Sequence, residues 1–173
     1  MSKTIDDFRN FFRDSREKSD FNLKDAIEST ISLQKEQIKN HHIELITELE
    51  PLNINGYKNK FMQVILNLIS NAKDAITEKQ EKETDFNGYI LLKTFKEDGN
   101  IVIEIVDNGV NVPTDIKQKI FEPYFTTKEQ GKGTGMGLYM SKEIISSMNG
   151  DLHLVDSNSE KKFVIKFKDN QNG

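Results

Sequence analysis

From Gly131 to Leu138 the chain reads Gly-Lys-Gly-Thr-Gly-Met-Gly-Leu, with glycine at every second position and an amphipathic helix behind it. Alternating glycines remove side chains, so backbone N–H groups can close on an anionic ligand, and the following helix adds its positive N-terminal end. A flexible linker would not end in Met136-Gly137-Leu138-Tyr139 and feed a helix with Ile144 and Ile145 on one face. The run is not a P-loop, because Lys132 is followed by glycine rather than Ser or Thr. It does not match the dinucleotide fingerprint either, and no strand directly precedes it.

With 173 residues, the chain is long enough for one proper core plus an appendage. Hydrophobic residues make up 35% and charged residues 30%, the balance of a soluble and rather polar globular protein. A net charge of −4 argues against a nucleic-acid partner. The absence of cysteine removes disulfides, thiol nucleophiles and Cys-based metal sites. No apolar run approaches the roughly 18 residues of a membrane span, and the N-terminus is charged rather than signal-like. These features predict a cytoplasmic domain without direct membrane contact.

The order of elements follows from periodicity. Ile5, Phe8, Phe11 and Phe12 form a short apolar stripe that needs a partner, and Lys18-Ser19-Asp20 reads as a hinge. Asn22 is positioned as the N-cap of a helix carrying Leu23, Ala26, Ile27, Ile31, Gln34 and Ile38. A short strand over Ile43 to Thr47 and a turn around Pro51 to Gly56 come next. A long helix from Asn59 to Glu78 has the core face Phe61, Val64, Ile65, Leu68, Ile69, Ala72, Ala75 and Ile76. Strands at Tyr89 to Phe95 and Ile101 to Val106 flank a Glu97-Asp98-Gly99-Asn100 hairpin turn. Pro113 opens a short helix to Ile120. The last helix ends near Asn149-Gly150, and strands at Leu152 to Val155 and Phe163 to Phe167 close the chain. This mixture predicts an α/β fold: a two-layer sandwich with a mixed, mostly antiparallel sheet covered by helices on one face.

Three constellations precede the glycine run. On the long helix Gln63, Asn67 and Asn71 recur every four residues, and amides are poor helix formers, so their stripe needs a reason. The plain alternative is a solvated face; the chemical one is that Asn71 offers its carbonyl oxygen to a Mg²⁺ held by phosphates. Lys73 and Asp74 extend that polar edge, with Lys73 able to reach a phosphate. Val106-Asp107-Asn108-Gly109-Val110-Asn111 follows a strand, and its alternatives are an ordinary turn or a carboxylate that accepts the adenine amino group. Ile120-Phe121-Glu122-Pro123-Tyr124-Phe125-Thr126-Thr127-Lys128 reads as a loop whose phenylalanines pack and whose Thr-Thr-Lys tail approaches phosphates. Polar and glycine-rich, the stretch from Thr126 to Lys132 is expected to act as a mobile lid.

Taken in this order, these residues resemble the ATP-binding catalytic domain of bacterial sensor histidine kinases, in the superfamily shared with gyrase B, Hsp90 and MutL. The N box resembles Gln63 to Ala75, the first glycine box Asp107 to Asn111, the F box Phe121 to Phe125, and the second glycine box Gly131 to Leu138. Similarity covers residues 20 to 168, and the wording of the boxes looks closest to nitrogen-regulation kinases. The resemblance implies the Bergerat ATP-binding fold with ATP and Mg²⁺ as cofactors. By position it implies Asn71 at the metal, Asp107 at adenine, Gly109 where the base approaches, and Thr134 at a phosphate oxygen within the wrap of Gly133 to Gly137. It also implies nucleotide contacts from Asp74, Asn111, Thr127, Lys128, Gly131, Gly133, Gly135, Met136, Gly137 and Leu138, and catalytic roles for Asn67, Asn71 and Lys73. Asn111 departs from the second glycine of its box; asparagine tolerates a left-handed backbone well, so the geometry is expected to survive.

Hydrolysing members of the superfamily place a glutamate one turn before the Mg²⁺ asparagine, and Asn67 cannot serve as that base. The resemblance therefore favours phosphoryl transfer to a histidine on a dimerisation hairpin. None of His41, His42 and His153 has the surroundings of an acceptor. Residues 1–20 are read as the remnant of that hairpin, 21–169 as the catalytic domain and 170–173 as a tail. The isolated piece is expected to be a monomer unable to autophosphorylate, from a homodimeric parent, membrane-anchored or free, that passes phosphate to a response regulator receiver domain. The alternatives are a superfamily ATPase or clamp fragment and an anti-sigma-type serine kinase or binding module.

Overall fold

The computed structural model describes residues 17–123, 137–157 and 159–169. The N-terminal stripe of Ile5, Phe8, Phe11 and Phe12 lies outside them, as do the lid residues and most of the glycine run. Ser19–Asn22 forms β1, Leu23–Asn40 α1, Ile43–Leu49 β2, Asn53–Gly56 β3 and Lys58–Lys82 α2. Gly88–Glu97 is β4, Asn100–Asp107 β5, Gly137–Ser147 α3, Asp151–Asp156 β6 and Lys161–Lys168 β7.

Five strands form one sheet in the order β2-β4-β5-β7-β6. β2 runs parallel to β4, and every other neighbouring pair is antiparallel. α1 packs on β2, α2 on β4 and β5, and α3 on β6, so the helices cover one face, with α2 between the other two. This is the predicted two-layer α/β sandwich. Its core follows directly from the two periodicities. Phe61, Val64, Ile65, Leu68, Ile69, Ala72 and Ile76 form the buried stripe of α2. Ile90 and Leu92 of β4, Ile101, Ile103 and Ile105 of β5, and Phe163, Ile165 and Phe167 of β7 are buried with them.

Local signals hold where their chemistry is specific. The Asn22 side chain accepts from the Asp25 N–H at 3.1 Å, which caps α1 as expected. The β4–β5 hairpin closes through Asp98 and Gly99, both at positive φ (53° and 77°), which is the two-residue turn that matches strand twist. Asn149, at φ 63°, takes the left-handed position that ends α3.

Two expectations change. Lys18-Ser19-Asp20 is not a hinge: Ser19 and Asp20 belong to β1, which pairs antiparallel with β3, the segment read as a turn after Pro51. Phe21 and Ile54 are buried on this ribbon, and the Phe21 ring packs tilted against Phe61 of α2, with centroids 5.6 Å apart. Pairing across distant sequence, invisible to local patterning, turns two weak segments into a ribbon. The helix expected from Pro113 to Ile120 shrinks to a 3₁₀ turn at Thr114–Ile116 followed by further turns. Only Ile120 of that segment is buried, too little apolar surface to support a full helix.

Candidate functional site

The site lies where β5 runs out beneath the middle helix. Asp107, the last residue of β5, is 1% exposed, and its Oδ1 accepts the Gly109 N–H at 2.9 Å. Val110 N–H donates to the Ala75 carbonyl of α2 at 3.1 Å, so the loop is pinned to the helix by main chain. A Cβ on Gly109 would stand 2.4–2.6 Å from backbone atoms of Ala75 and Ile76. The glycine is thus required for the loop to touch α2, a packing reason that stands beside the expected approach of a base. Asn108 adds a further tie: its Oδ1 accepts the Tyr89 N–H at 2.8 Å, and its Nδ2 donates to the Asn87 carbonyl.

Burial makes the charged form of Asp107 expensive and pushes its carboxyl up to about 6 from 3.8. The Lys161 ammonium, the Gly109 N–H and the Lys79 ammonium pull in the opposite direction. Lys161 opens β7, is 5% exposed, and holds its Nζ 3.6 Å from Asp107 Oδ2 and 3.3 Å from the Val110 carbonyl. Lys79 of α2 donates to the Asn108 carbonyl and lies over the Phe86 ring. Neither lysine was singled out from sequence. For Lys161 a signal existed: Lys161, Phe163, Ile165 and Phe167 alternate on the inward side of β7, and a charge in such a series has to be accounted for.

On α2, Asn67 and Asn71 are one helical turn apart, and Asp74 completes a heptad with Asn67, so all three share a flank. That flank faces α3. Asn67 Nδ2 lies 3.5 Å from the Gly137 carbonyl and 3.4 Å from Ser141 Oγ, reaching the first turn of the helix that follows the glycine run. Gly137 and Leu138 begin that helix, and Leu138 packs against the core. The structure therefore brings Asn67 together with Gly137 and Leu138, on the flank that also carries Asn71 and Asp74. It does not bring Lys73 there. Two residues past Asn71 is a rotation of about 200° on a helix, and Lys73 Nζ donates to Gln37 of α1 at 3.1 Å.

Asn111 corrects a conformational expectation. It is absent from the residues at positive φ, and its Nδ2 instead donates to the Ser157 carbonyl in the β6–β7 turn at 3.2 Å. The side chain, rather than left-handed tolerance, is what asparagine supplies there. Phe121 packs edge-on to Phe163 at 6.2 Å with Lys142 over its other face, the packing role expected of it. Thr127, Lys128, Gly131, Gly133, Thr134, Gly135 and Met136 lie outside the described residues, together with Tyr124 and Phe125.

The hard carbonyl oxygen of Asn71 suits Mg²⁺, which takes few protein oxygens beside phosphate and water. Among the described residues no helix is long and apolar enough to cross a membrane.

Residues 56–171 match the family described as histidine kinase-, DNA gyrase B-, and HSP90-like ATPase. The two-component sensor PprA of Pseudomonas aeruginosa is 30% identical over 143 residues, 82% of this chain and 15% of that protein. The nitrogen regulation protein NtrY of Azorhizobium caulinodans is 26% identical over 159 residues, 91% of this chain and 20% of its own length. The chain thus spans a fifth or less of either relative. The catalytic domain of histidine kinase ThkA, in a nucleotide-free form, superposes with a TM-score of 0.75 at 28% identity, covering 88% of this chain and 96% of that one. ThkA in complex with the response regulator protein TrrA shares the fold, with a TM-score of 0.70 at 22% identity over 96% of this chain and 46% of that one. By its family match and its fold, the chain belongs to the histidine kinase-, DNA gyrase B- and HSP90-like ATPases.

Proposed function

We propose that this chain is the ATP-binding kinase domain of a two-component sensor, transferring the γ-phosphoryl of Mg-ATP to a histidine on a dimerisation hairpin. In that transfer an acceptor imidazole nitrogen bonds to the γ-phosphorus as the bond to the β,γ-bridging oxygen breaks, and ADP leaves. The observation that carries the reading is the buried Asp107 carboxylate at the end of β5, locked to the flank of α2 that holds Asn71. A carboxylate there accepts the adenine amino group and disfavours guanine, which presents an acceptor at that position. Asn71 would hold Mg²⁺, which supplies charge neutralisation on the phosphates, and Asp74 would add a nucleotide contact beside it. Gly137 and Leu138, with Gly131, Gly133, Thr134, Gly135 and Met136 before them, would meet the phosphates as the helix start follows the glycine run. Thr127 and Lys128 extend that contact.

Asn67 supports kinase over hydrolase chemistry. Its amide lies against α3 and offers no base for water. His153 of β6 is paired with Asp151 at 2.8 Å, and His41 and His42 lie in the turn after α1; the acceptor is therefore assigned to another segment. On this reading the domain works in the cytoplasm, presents phosphate to a hairpin and through it to a receiver domain, and is monomeric in isolation within a homodimeric parent. The test is calorimetric titration of ATP with and without Mg²⁺ on this chain and on Asp107→Asn, followed by transfer to a supplied hairpin. Adenine-selective binding that Asp107→Asn weakens, with phosphohistidine on the hairpin, is the expected result. Steady-state hydrolysis without transfer would overturn it in favour of an ATPase.

A further inference from the structure

The lysine beneath the adenine carboxylate is not accounted for by packing. Lys161 takes the first place in an inward series that continues Phe163, Ile165 and Phe167, and it is 5% exposed. An apolar side chain would sit there without the cost of burying an ammonium, which proteins accept only where the charge is paired. Its Nζ has two described partners, the Val110 carbonyl at 3.3 Å and Asp107 Oδ2 at 3.6 Å. Both belong to the pinned loop at the end of β5.

The two carboxylate oxygens are used differently. Oδ1 is committed to the Gly109 N–H. Oδ2 faces Lys161 at a separation beyond ordinary hydrogen-bond length, so it feels the charge and keeps lone pairs for a donor. Resting on the adenine reading above, we propose that Lys161 is a positioning residue for base recognition: its buried ammonium keeps Asp107 charged and aims Oδ2 at the amino group. The charged groups facing Asp107 are Lys161 from β7 and Lys79 from α2; its partner on β4 is the apolar Ile90. Lys79 is shared with the Asn108 carbonyl and the Phe86 ring, which leaves Lys161 as the nearer charge. Without it, burial would let Asp107 take up a proton closer to neutral pH and lose its strength as an acceptor.

The experiment is calorimetric titration of ADP from pH 5.5 to 9 on the chain, Lys161→Gln, Lys161→Arg and Asp107→Asn, with melting curves for each. Lys161→Gln keeps an N–H donor on a side chain one atom shorter while removing the charge. It is expected to bind roughly tenfold more weakly at pH 7, to recover to within about threefold of the parent by pH 9, and to show its midpoint moved up by about two pH units. Lys161→Arg is expected to retain the parent profile. A Lys161→Gln profile that coincides with the parent, or that is displaced equally at every pH, overturns the proposal. Should that variant fail to fold, a ¹³C carboxylate titration of Asp107 in the nucleotide-free parent, Lys161→Arg and Lys161→Met decides: a midpoint kept in Lys161→Arg and raised in Lys161→Met supports the coupling, and one that stays at the parent value in Lys161→Met overturns it. Failure of the parent to bind ADP, or indifference to Asp107→Asn, instead overturns the adenine reading itself.

Discussion

The loop that leaves β5 has two halves that differ sharply within a few residues. Asp107 to Val110 is buried or half-buried, bonded to α2 by main chain, and leaves no room for a methyl group at Gly109. Asn111 to Ile116 is largely exposed; Asn111 is tied down by a side-chain bond to Ser157, and the segment passes into a 3₁₀ turn. Backbone pinning fixes the carboxylate to within the tolerance recognition needs, whereas a side-chain tie can be replaced by another. Chemistry belongs on the first half and variation on the second. That is why a departure from the family pattern at Asn111 is compatible with a working site, while one at Gly109 is not.

Substitutions can break that contrast, the most damaging first. Gly109→Ala is expected to abolish ATP binding and to lower stability by about 1–3 kcal/mol, since main chain cannot yield as a flexible side chain would. Chemical denaturation and ATP titration together check it; a variant that keeps both would show that the loop is not pinned as described. Asp107→Asn is expected to weaken ATP binding by roughly tenfold to a hundredfold, the worth of a charge-assisted hydrogen bond. Calorimetry reads that directly.

The pH dependence sharpens the same half. With its carboxyl raised to about 6, Asp107 is mostly ionised at pH 7, so adenine affinity is expected to fall as the pH passes downward through 6. Stability runs in the opposite sense. The folded state holds this proton more tightly than the unfolded chain, whose ordinary value is 3.8, so the contribution favouring folding is complete below 3.8 and lost as pH rises through 6. Relative to Asp107→Asn, the parent is expected to gain on the order of 2–3 kcal/mol between pH 7 and pH 4. Denaturation series of both proteins across that range would show it, and parallel curves would contradict it.

At the exposed half, Asn111→Gly is expected to leave ATP binding within several-fold, because it removes a solvent-exposed bond to Ser157 and no ligand contact is needed to explain the residue. A complete loss would move Asn111 to the recognising half. Lys73→Ala gives the smallest effect: engaged with Gln37 of α1, it is expected to change affinity by less than about twofold. A large loss on titration would mean that Lys73 leaves Gln37 when nucleotide binds.

Much of the molecule follows from sequence periodicity. The stripe of α2, the inward alternation of β4, β5 and β7, the Asn22 cap and the Asp98-Gly99 turn are local signals, each with a cause within a few residues. The order of motifs gave the family, and the roles proposed for Asp107 and Asn71 rest on that order. The misreadings share one origin. β1 and β3 exist because they pair with each other, and neither carries a pattern strong enough alone. Lys73 and Asn71 look equivalent as neighbours on a polar edge, yet the helices on either side of α2 divide them.

What the chain determined by itself is therefore which strongly patterned segments form helices and strands and which family its motifs mark, because those depend on side-chain periodicity and on motif order. Tertiary structure decided how each residue is used. Only the approach of the β5 loop to α2 shows that Gly109 serves packing, that Asn111 works through its side chain, and that a lysine more than fifty residues away in sequence lies beneath Asp107. Burial and charge pairing depend on which distant surfaces meet, and that is settled only when the sheet and its helices close around the site.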